Sequence, residues 1–209
     1  MVCTSGEQHK PVLLVICGKS GSGKTTIVNA LASTYKHSVH KVKRMTTRPM
    51  RDSEKRFLDA LVDYDFTDES DDRWESCLET TTYRGWRYGT SPDEIIADKL
   101  NVIGCDIMAV TQLLRHNAEY DIHVIYLDVN FTTQLARLLH RDGIKFETFR
   151  RIVSDMITND KYAKDLLKDD GAMFVKVDDN FGLLAKAYPM NVVSTLARTL
   201  MEGGSVCQE

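Results

Sequence analysis

The residues Gly18-Lys19-Ser20-Gly21-Ser22-Gly23-Lys24-Thr25 satisfy the pattern G-x-x-x-x-G-K-[ST] at every defined position. The context agrees, because a six-residue apolar run, Val12–Cys17, precedes the pattern and helical spacing follows it. Glycines at 18, 21 and 23 let the backbone curl so that successive N–H groups face one anion. A helix opening near Lys24 directs its positive end and free N–H groups at the same point. Lys24 then supplies a point charge between β- and γ-phosphates, and the Thr25 hydroxyl is a ligand for Mg²⁺. Ser20, Ser22 and Thr26 belong to the same nucleotide-binding set. The chemistry implied is the binding of a nucleoside triphosphate.

A loop of this kind serves many reactions, so a second ligand has to be sought elsewhere. Arg48 and Arg51 flank a proline in Thr46-Thr47-Arg48-Pro49-Met50-Arg51 and can fork bidentately onto a monophosphate. Tyr64, in Asp63-Tyr64-Asp65-Phe66, and Tyr88, in Tyr88-Gly89-Thr90-Ser91, would add phenolic donors to the same group. Tyr64 and Phe66 also alternate as a half-buried strand does. Glu79 offers a pair of acceptor oxygens. Placed at a helix end, that glutamate would ordinarily be solvated. Thr90 provides a small hydroxyl. Arg137 and Arg141 stand at i and i+4 and share one helix face. Asp106 and Asp128 each end an apolar run and are candidate strand-end acids, and Asp128 is also a candidate helix cap.

The ordered set resembles the guanylate kinase family, which carries a TTR-x-P-R element, a DY-x-F element, a glutamate nine residues before a tyrosine, and YG[ST]. Here Glu79 stands nine residues before Tyr88, and the resemblance runs from the phosphate loop to Asp178-Asp179. It implies transfer of the ATP γ-phosphoryl group to GMP or dGMP, with Mg²⁺ and without a covalent intermediate. In that scheme Lys24, Arg48, Arg137, Arg141 and Arg151 are catalytic, with Arg150 beside Arg151 in the lid. Arg44, Arg48, Arg51, Tyr64, Glu79, Tyr88, Thr90 and Asp106 hold the acceptor, and Thr25 and Asp106 hold the metal. The sequence departs from the family at four places. Arg44 stands where a base-reading serine is expected, and Gly104 and Asp106 replace two alternate acids. About four extra residues lie between Arg51 and Tyr64, and Ile144–Arg151 lacks the usual acidic and small residues of a lid. A same-fold kinase for another nucleoside monophosphate or a ribose bisphosphate is the first alternative, and a non-catalytic binding module of the family is the second.

The elements that must position these residues are legible in outline. Val12–Cys17, Val102–Cys105, Ile122–Leu127 and Ala172–Val177 read as buried strands. Helical spacing covers Lys24–Tyr35, Pro92–Leu100, Asp106–Arg115, Thr132–Arg141, Phe146–Leu167 and Phe181–Met201, with Pro189 expected to break or kink the last. Alternation of the two predicts an α/β core with a parallel sheet flanked by helices (10–38, 92–141 and 171–203), a monophosphate-binding insertion (39–91) and a helical lid (142–170). Seven basic residues fall in Lys41–Arg56 and nine acidic ones in Asp59–Glu79. They read either as solvated faces or as opposite ends of one site.

Composition bounds the rest. The chain has 209 residues, 43% hydrophobic, 8% aromatic and 27% charged, which excludes collagen-like and disordered classes. A net charge of −3 points to no nucleic acid, and Val12–Cys17 is too short to span a bilayer. Five cysteines without CxxC spacing predict reduced thiols and no zinc site. The expectation is a cytoplasmic monomer or homodimer whose partners are small-molecule nucleotides.

Overall fold

The computed structural model describes residues 10–50, 54–55, 63–142, 150, 152–153, 173–177 and 183–202. Its centre is β1 (Val12–Gly18), in which Leu13 to Cys17 have no exposed surface. A strand with apolar residues on both faces needs a parallel neighbour on each side and a helical layer above and below. β1 obtains both. It pairs in parallel with β7 (Leu100–Cys105) on one side and β8 (Asp121–Val129) on the other. β2 (Val39–Lys41) extends the sheet beyond β7, and β9 (Met173–Val177) extends it beyond β8, giving the order β2-β7-β1-β8-β9. β2 therefore belongs to the core, and the inserted segment begins after it rather than at residue 39.

The two faces of β1 divide the core. Leu14 and Ile16 pack with Ile27, Val28 and Leu31 of α1 (Lys24–Thr34) and with Val193, Leu196, Ala197 and Leu200 of α4 (Leu183–Met201). Leu13, Val15 and Cys17 pack with Ile107, Ala109, Val110 and Leu113 of α2 (Ile107–Leu113). Burying each large apolar side chain contributes about 1.5–3 kcal/mol, so the three layers are held mainly by this one strand's neighbours. α3 (Phe131–Asp142) follows β8 and is capped by Asn130, whose Oδ1 accepts from the Thr133 N–H at 2.8 Å. Asp128, a candidate cap by sequence, instead lies inside β8 in register with Lys176.

Two other expectations need correction. The tract Pro92–Leu100 forms only a single 3-10 turn, Pro92–Glu94. Beyond it the fully buried Asn101 takes over the backbone. Its Nδ2 donates to the carbonyls of Ile96, Lys99 and Val12, and its Oδ1 accepts from the Ile96 N–H. Those bonds compete with helix and hold the segment as a loop. Pro189 does not interrupt α4, which runs through it. A proline removes one N–H from a 19-residue helix, and the buried C-terminal half keeps the remainder docked. The expected helix Phe146–Leu167 and most of the lid lie outside the described residues. Among the described residues no helix is long and apolar enough to cross a membrane.

The insertion is a second sheet, ordered β4-β3-β6-β5. It comprises β3 (Arg44–Thr46), β4 (Tyr64–Phe66), β5 (Glu79–Tyr83) and β6 (Trp86–Thr90). β3 and β4 run parallel, and the other pairings are antiparallel. The Gln112 side chain of α2 clips the edge of β5, donating from Nε2 to the Thr80 carbonyl and accepting from its N–H. That amide does the work of an absent neighbouring strand and fixes the small sheet to the core. Opposite it, Trp74 is buried beneath β6, its Nε1 donating to the Asp68 carbonyl and its ring covered by Arg87.

Gly89 is the point of closest approach between β6 and that tryptophan. A Cβ there would stand 2.9 Å from both Cys77 Sγ and Trp74 Cζ3, and 3.1 Å from the Glu79 carbonyl. Overpacking of this kind is destabilising by about 1–3 kcal/mol. Gly89→Val is expected to lower the urea midpoint accordingly without changing the m-value, and to shift Trp74 fluorescence. An unaltered midpoint would show that the small sheet is not packed as described.

Candidate active site

The phosphate loop leaves β1 at Gly18, where φ is +148° and a Cβ would meet the Leu127 carbonyl at 2.8 Å. Only glycine fits between the strand end and its neighbour in the sheet. The Ser22 N–H donates to the Lys19 carbonyl, closing the turn, and Gly23, in the left-handed region, opens α1. Lys24 Nζ is held across the loop by the carbonyls of Gly18 at 2.6 Å and Lys19 at 2.9 Å. Thr25 and Thr26 are exposed on the first turn of α1. Arg137 reaches over from α3, its Nη1 donating to the carbonyls of Gly21 and Ser22. Cys17 lies under the loop, and burial pushes its thiol up to about 12 against the opposing pull of Lys24. It is inert there. Cys17, Cys77 and Cys105 are free, in line with reduced structural thiols.

Asp106 follows β7, on the same end of the sheet as the loop. Its Oδ1 caps α2, accepting from the N–H groups of Met108 and Ala109 at 3.0 and 3.1 Å. Its Oδ2 lies 3.8 Å from Arg44 Nη1. The strand-end acid is thus also the cap of the following helix, with one oxygen left over.

The small sheet gathers the remaining candidates into a row. Arg48 sits with its guanidinium over the rings of Tyr64 at 4.6 Å and Phe66 at 5.0 Å. Tyr64 meets Tyr88 edge-on at 5.8 Å, and the Arg44 guanidinium lies 5.7 Å from the Tyr88 ring. Burial raises the Tyr64 phenol, which therefore stays a donor. Arg51, Arg151 and the Arg141 side chain lie outside the described residues, and Arg150 is exposed.

Two carboxylates take unexpected positions. Glu79 is neither solvated nor on a helix. It begins β5, its side chain has no exposed surface, and its carboxylate is gripped by Arg44. Arg44 Nε donates to Oε1 and Nη2 to Oε2, both at 2.9 Å, while the Thr90 hydroxyl donates to Oε1 at 2.8 Å. Nη2 also reaches Thr81 Oγ1. Burial pushes the Glu79 carboxyl up, and Arg44 and Thr90 oppose the rise. Burial alone would lower the Arg44 pKa, but Glu79 and Asp106 reverse that, so the guanidinium stays charged. The lone pairs that the family resemblance assigned to guanine are given to the protein's own donors.

Glu54 is the second such carboxylate, and sequence analysis did not find it. Its oxygens accept from Arg48 Nη1 at 2.8 Å and Nη2 at 2.5 Å, as a phosphate would. The available signal was an acid within the basic tract Lys41–Arg56, close after Arg48 and next to the extra residues. The two charge runs, moreover, are not separate faces. Across the two runs Lys41 pairs with Asp63 at 2.7 Å and Arg44 with Glu79 at 2.8 Å, while Arg73, within the acidic run, pairs with Asp65 at 2.7 Å.

A five-stranded parallel sheet with a phosphate loop at the end of its central strand, flanked by helices, defines the P-loop kinase architecture. The guanylate kinase family model matches residues 9–170, and the chain belongs to that family. Among solved structures, it is similar to the guanylate kinase from Anaplasma phagocytophilum, with 15% identity, 92% of this chain and 87% of that chain covered, and a TM-score of 0.57. It is also similar to a gluconokinase from Sinorhizobium meliloti 1021, with 14% identity, coverage of 94% and 99%, and a TM-score of 0.48. No curated protein sequence matches the chain.

The buried pair yields a stability test. Removing one partner leaves an uncompensated buried charge, a loss of about 3–5 kcal/mol, whereas replacing both by apolar groups is often neutral. Arg44→Met is expected to fall in that range, and Arg44→Met/Glu79→Met to unfold near the parent in urea. Additive losses in the double variant would mean that the two side chains do not interact.

Proposed function

We propose that the chain transfers the γ-phosphoryl group of ATP to the phosphate of a nucleoside monophosphate, GMP and dGMP being among its acceptors. The observation that carries this reading is the pairing of an intact phosphate loop with a second anion fork. Lys24 lies in the loop, and Arg48, stacked on Tyr64 and Phe66, offers two parallel donors on the small sheet. Glu54 already engages that fork with the geometry of an oxyanion.

Catalysis in such a site is positioning and electrostatics, with no protein nucleophile required. The loop N–H groups and Lys24 hold the β- and γ-phosphates. Arg48, with the Tyr64 and Tyr88 phenols near it, orients the acceptor phosphate for in-line attack. Arg137, now on the loop carbonyls, is placed to neutralise charge that spreads over the equatorial oxygens. Of the two oxygens expected to hold Mg²⁺, the Thr25 hydroxyl is exposed and a hard donor, as that ion requires, whereas Asp106 Oδ2 lies 3.8 Å from Arg44 Nη1. Among the described residues no cluster of three His, Cys, Asp or Glu could hold a metal, so nucleotide phosphates and water would fill the other positions. When bound, the ion would supply positive charge at the donor's phosphates, with the Thr25 hydroxyl as a protein oxygen that would hold it.

The deciding experiment is an ATP-dependent screen of ribo- and deoxyribonucleoside monophosphates and a ribose bisphosphate, read by diphosphate product. Turnover of monophosphates supports the reading. Turnover of the ribose bisphosphate alone would replace it, and binding without turnover would favour a non-catalytic module. Lys24→Ala is expected to reduce turnover by at least ~10²-fold while shifting stability by less than about 1 kcal/mol. Glu54→Gln removes a charged competitor for Arg48, so the acceptor KM should fall about two- to five-fold at unchanged kcat, the scale of one partly exposed ion pair. A raised KM in Glu54→Gln would instead make Glu54 a residue that helps to hold the acceptor.

A further inference from the structure

The Arg44–Glu79 pair has a consequence for what the site can recognise. A glutamate that reads guanine must present two free acceptor oxygens at the pocket surface. Glu79 presents none: three donors occupy its oxygens, and its side chain has no exposed area. Four hydrogen-bonding groups hold it there, counting Thr81 on Arg44. The pair bridges β3 and β5, with β6 between them, so releasing the glutamate means breaking a contact that ties three strands.

What remains available is the other end of the arginine. Nε and Nη2 are committed to Glu79 and Thr81, whereas Nη1 makes no hydrogen bond among the described residues; the side chain as a whole is 5% exposed, on the side of the partly exposed Asp106. Beside Nη1, 3.8 Å away, is the uncapped Oδ2 of Asp106. A donor next to an acceptor is a different recognition element from two acceptors. Guanine meets it with O6 and N1–H, adenine with N1 and the N6 amino group. Cytosine meets it with N3 and the N4 amino group, thymine with O4 and N3–H. Every common base carries one acceptor adjacent to one N–H on its pairing edge.

We propose that in this chain Glu79 is a positioning residue rather than a base reader, and that the acceptor's base meets Arg44 Nη1 beside Asp106 Oδ2. The site then takes nucleoside monophosphates with little discrimination among bases. This rests on the assignment of the pocket to a nucleoside monophosphate. Specificity falls on the phosphate, through Arg48, and the base contributes affinity without selection.

The test uses the full chain with ATP and Mg²⁺, and measures both kcat/KM and equilibrium binding for GMP, AMP, CMP and dTMP. The parent protein is expected to use all four within about tenfold, where a site built on guanine-specific hydrogen bonds would discriminate by roughly 10⁴ or more. Arg44→Met/Glu79→Met removes the donor without stranding a charge. It should lose about ten- to a hundred-fold on all four acceptors, the scale of one hydrogen bond from a charged group, with their ratios preserved. A parent preference for GMP above ~10³-fold, erased in the double variant, overturns the proposal and restores Glu79 as the reader. Unaltered kinetics in the double variant overturns it too, because the pair would then be structural only. Should the double variant not fold, the parent's base profile decides. Equal binding of all four without phosphorylation would refute the kinase reading and leave this proposal standing, and binding of none would refute both.

Discussion

The structure is organised around a strand that has no free edge and no free face. β1 lies between β7 and β8, its side chains alternate between two apolar layers, and Leu13 to Cys17 are wholly buried. Nothing in the strand can shift by a residue without driving its apolar set into the wrong layer. The chain therefore emerges at Gly18 in a fixed place and direction, against a neighbour so close that a single Cβ would collide with the Leu127 carbonyl. The phosphate loop begins there. Its position is set by the packing of the strand before it, and the loop itself contributes only the curl and the donors.

Everything aimed at the loop arrives from the same end of the sheet. Asp106 follows β7, Asn130 and then Arg137 follow β8, and α1 follows β1 itself. Parallel strands place their C-terminal ends together, so residues far apart in sequence converge without any special device. Arg137 joins the loop carbonyls across more than a hundred residues of chain in this way. The small sheet is held against this edge by fewer links. The Gln112 clip on Thr80 and the approach of Arg44 to Asp106 are two of them. Charge pairing does more of the work inside it, because its strands are three to five residues long and bury little apolar surface.

That difference explains the two carboxylates. In a thin sheet a charged side chain cannot avoid its neighbours, and an arginine beside a glutamate will pair unless water separates them. Arg44 and Glu79 are dry and bidentate, so their partnership is a fixed part of the sheet. Arg48 and Glu54 are less enclosed, and Glu54 comes from a turn rather than a strand. The first pair is a fully enclosed part of the sheet, while the second stands at its more open side.

The sequence alone determined what depends on local backbone rules. The glycine spacing of the loop, the apolar runs that become β1, β7, β8 and β9, and the helical periods of α1, α2 and α3 are all properties of neighbours in the chain. So is the ordered set of short elements that marks the family. Tertiary structure decided the rest. Asn101 turned an apparent helix at Pro92–Leu100 into a loop by binding backbone groups of the segment before it and of β1. β2 was claimed by the core sheet because β7 offered it an edge. The state of Glu79 was settled by an arginine 35 positions away. Spacing could identify that glutamate as important, but its free lone pairs depend on which donors fold against it, and only the packed sheet brings those donors within reach.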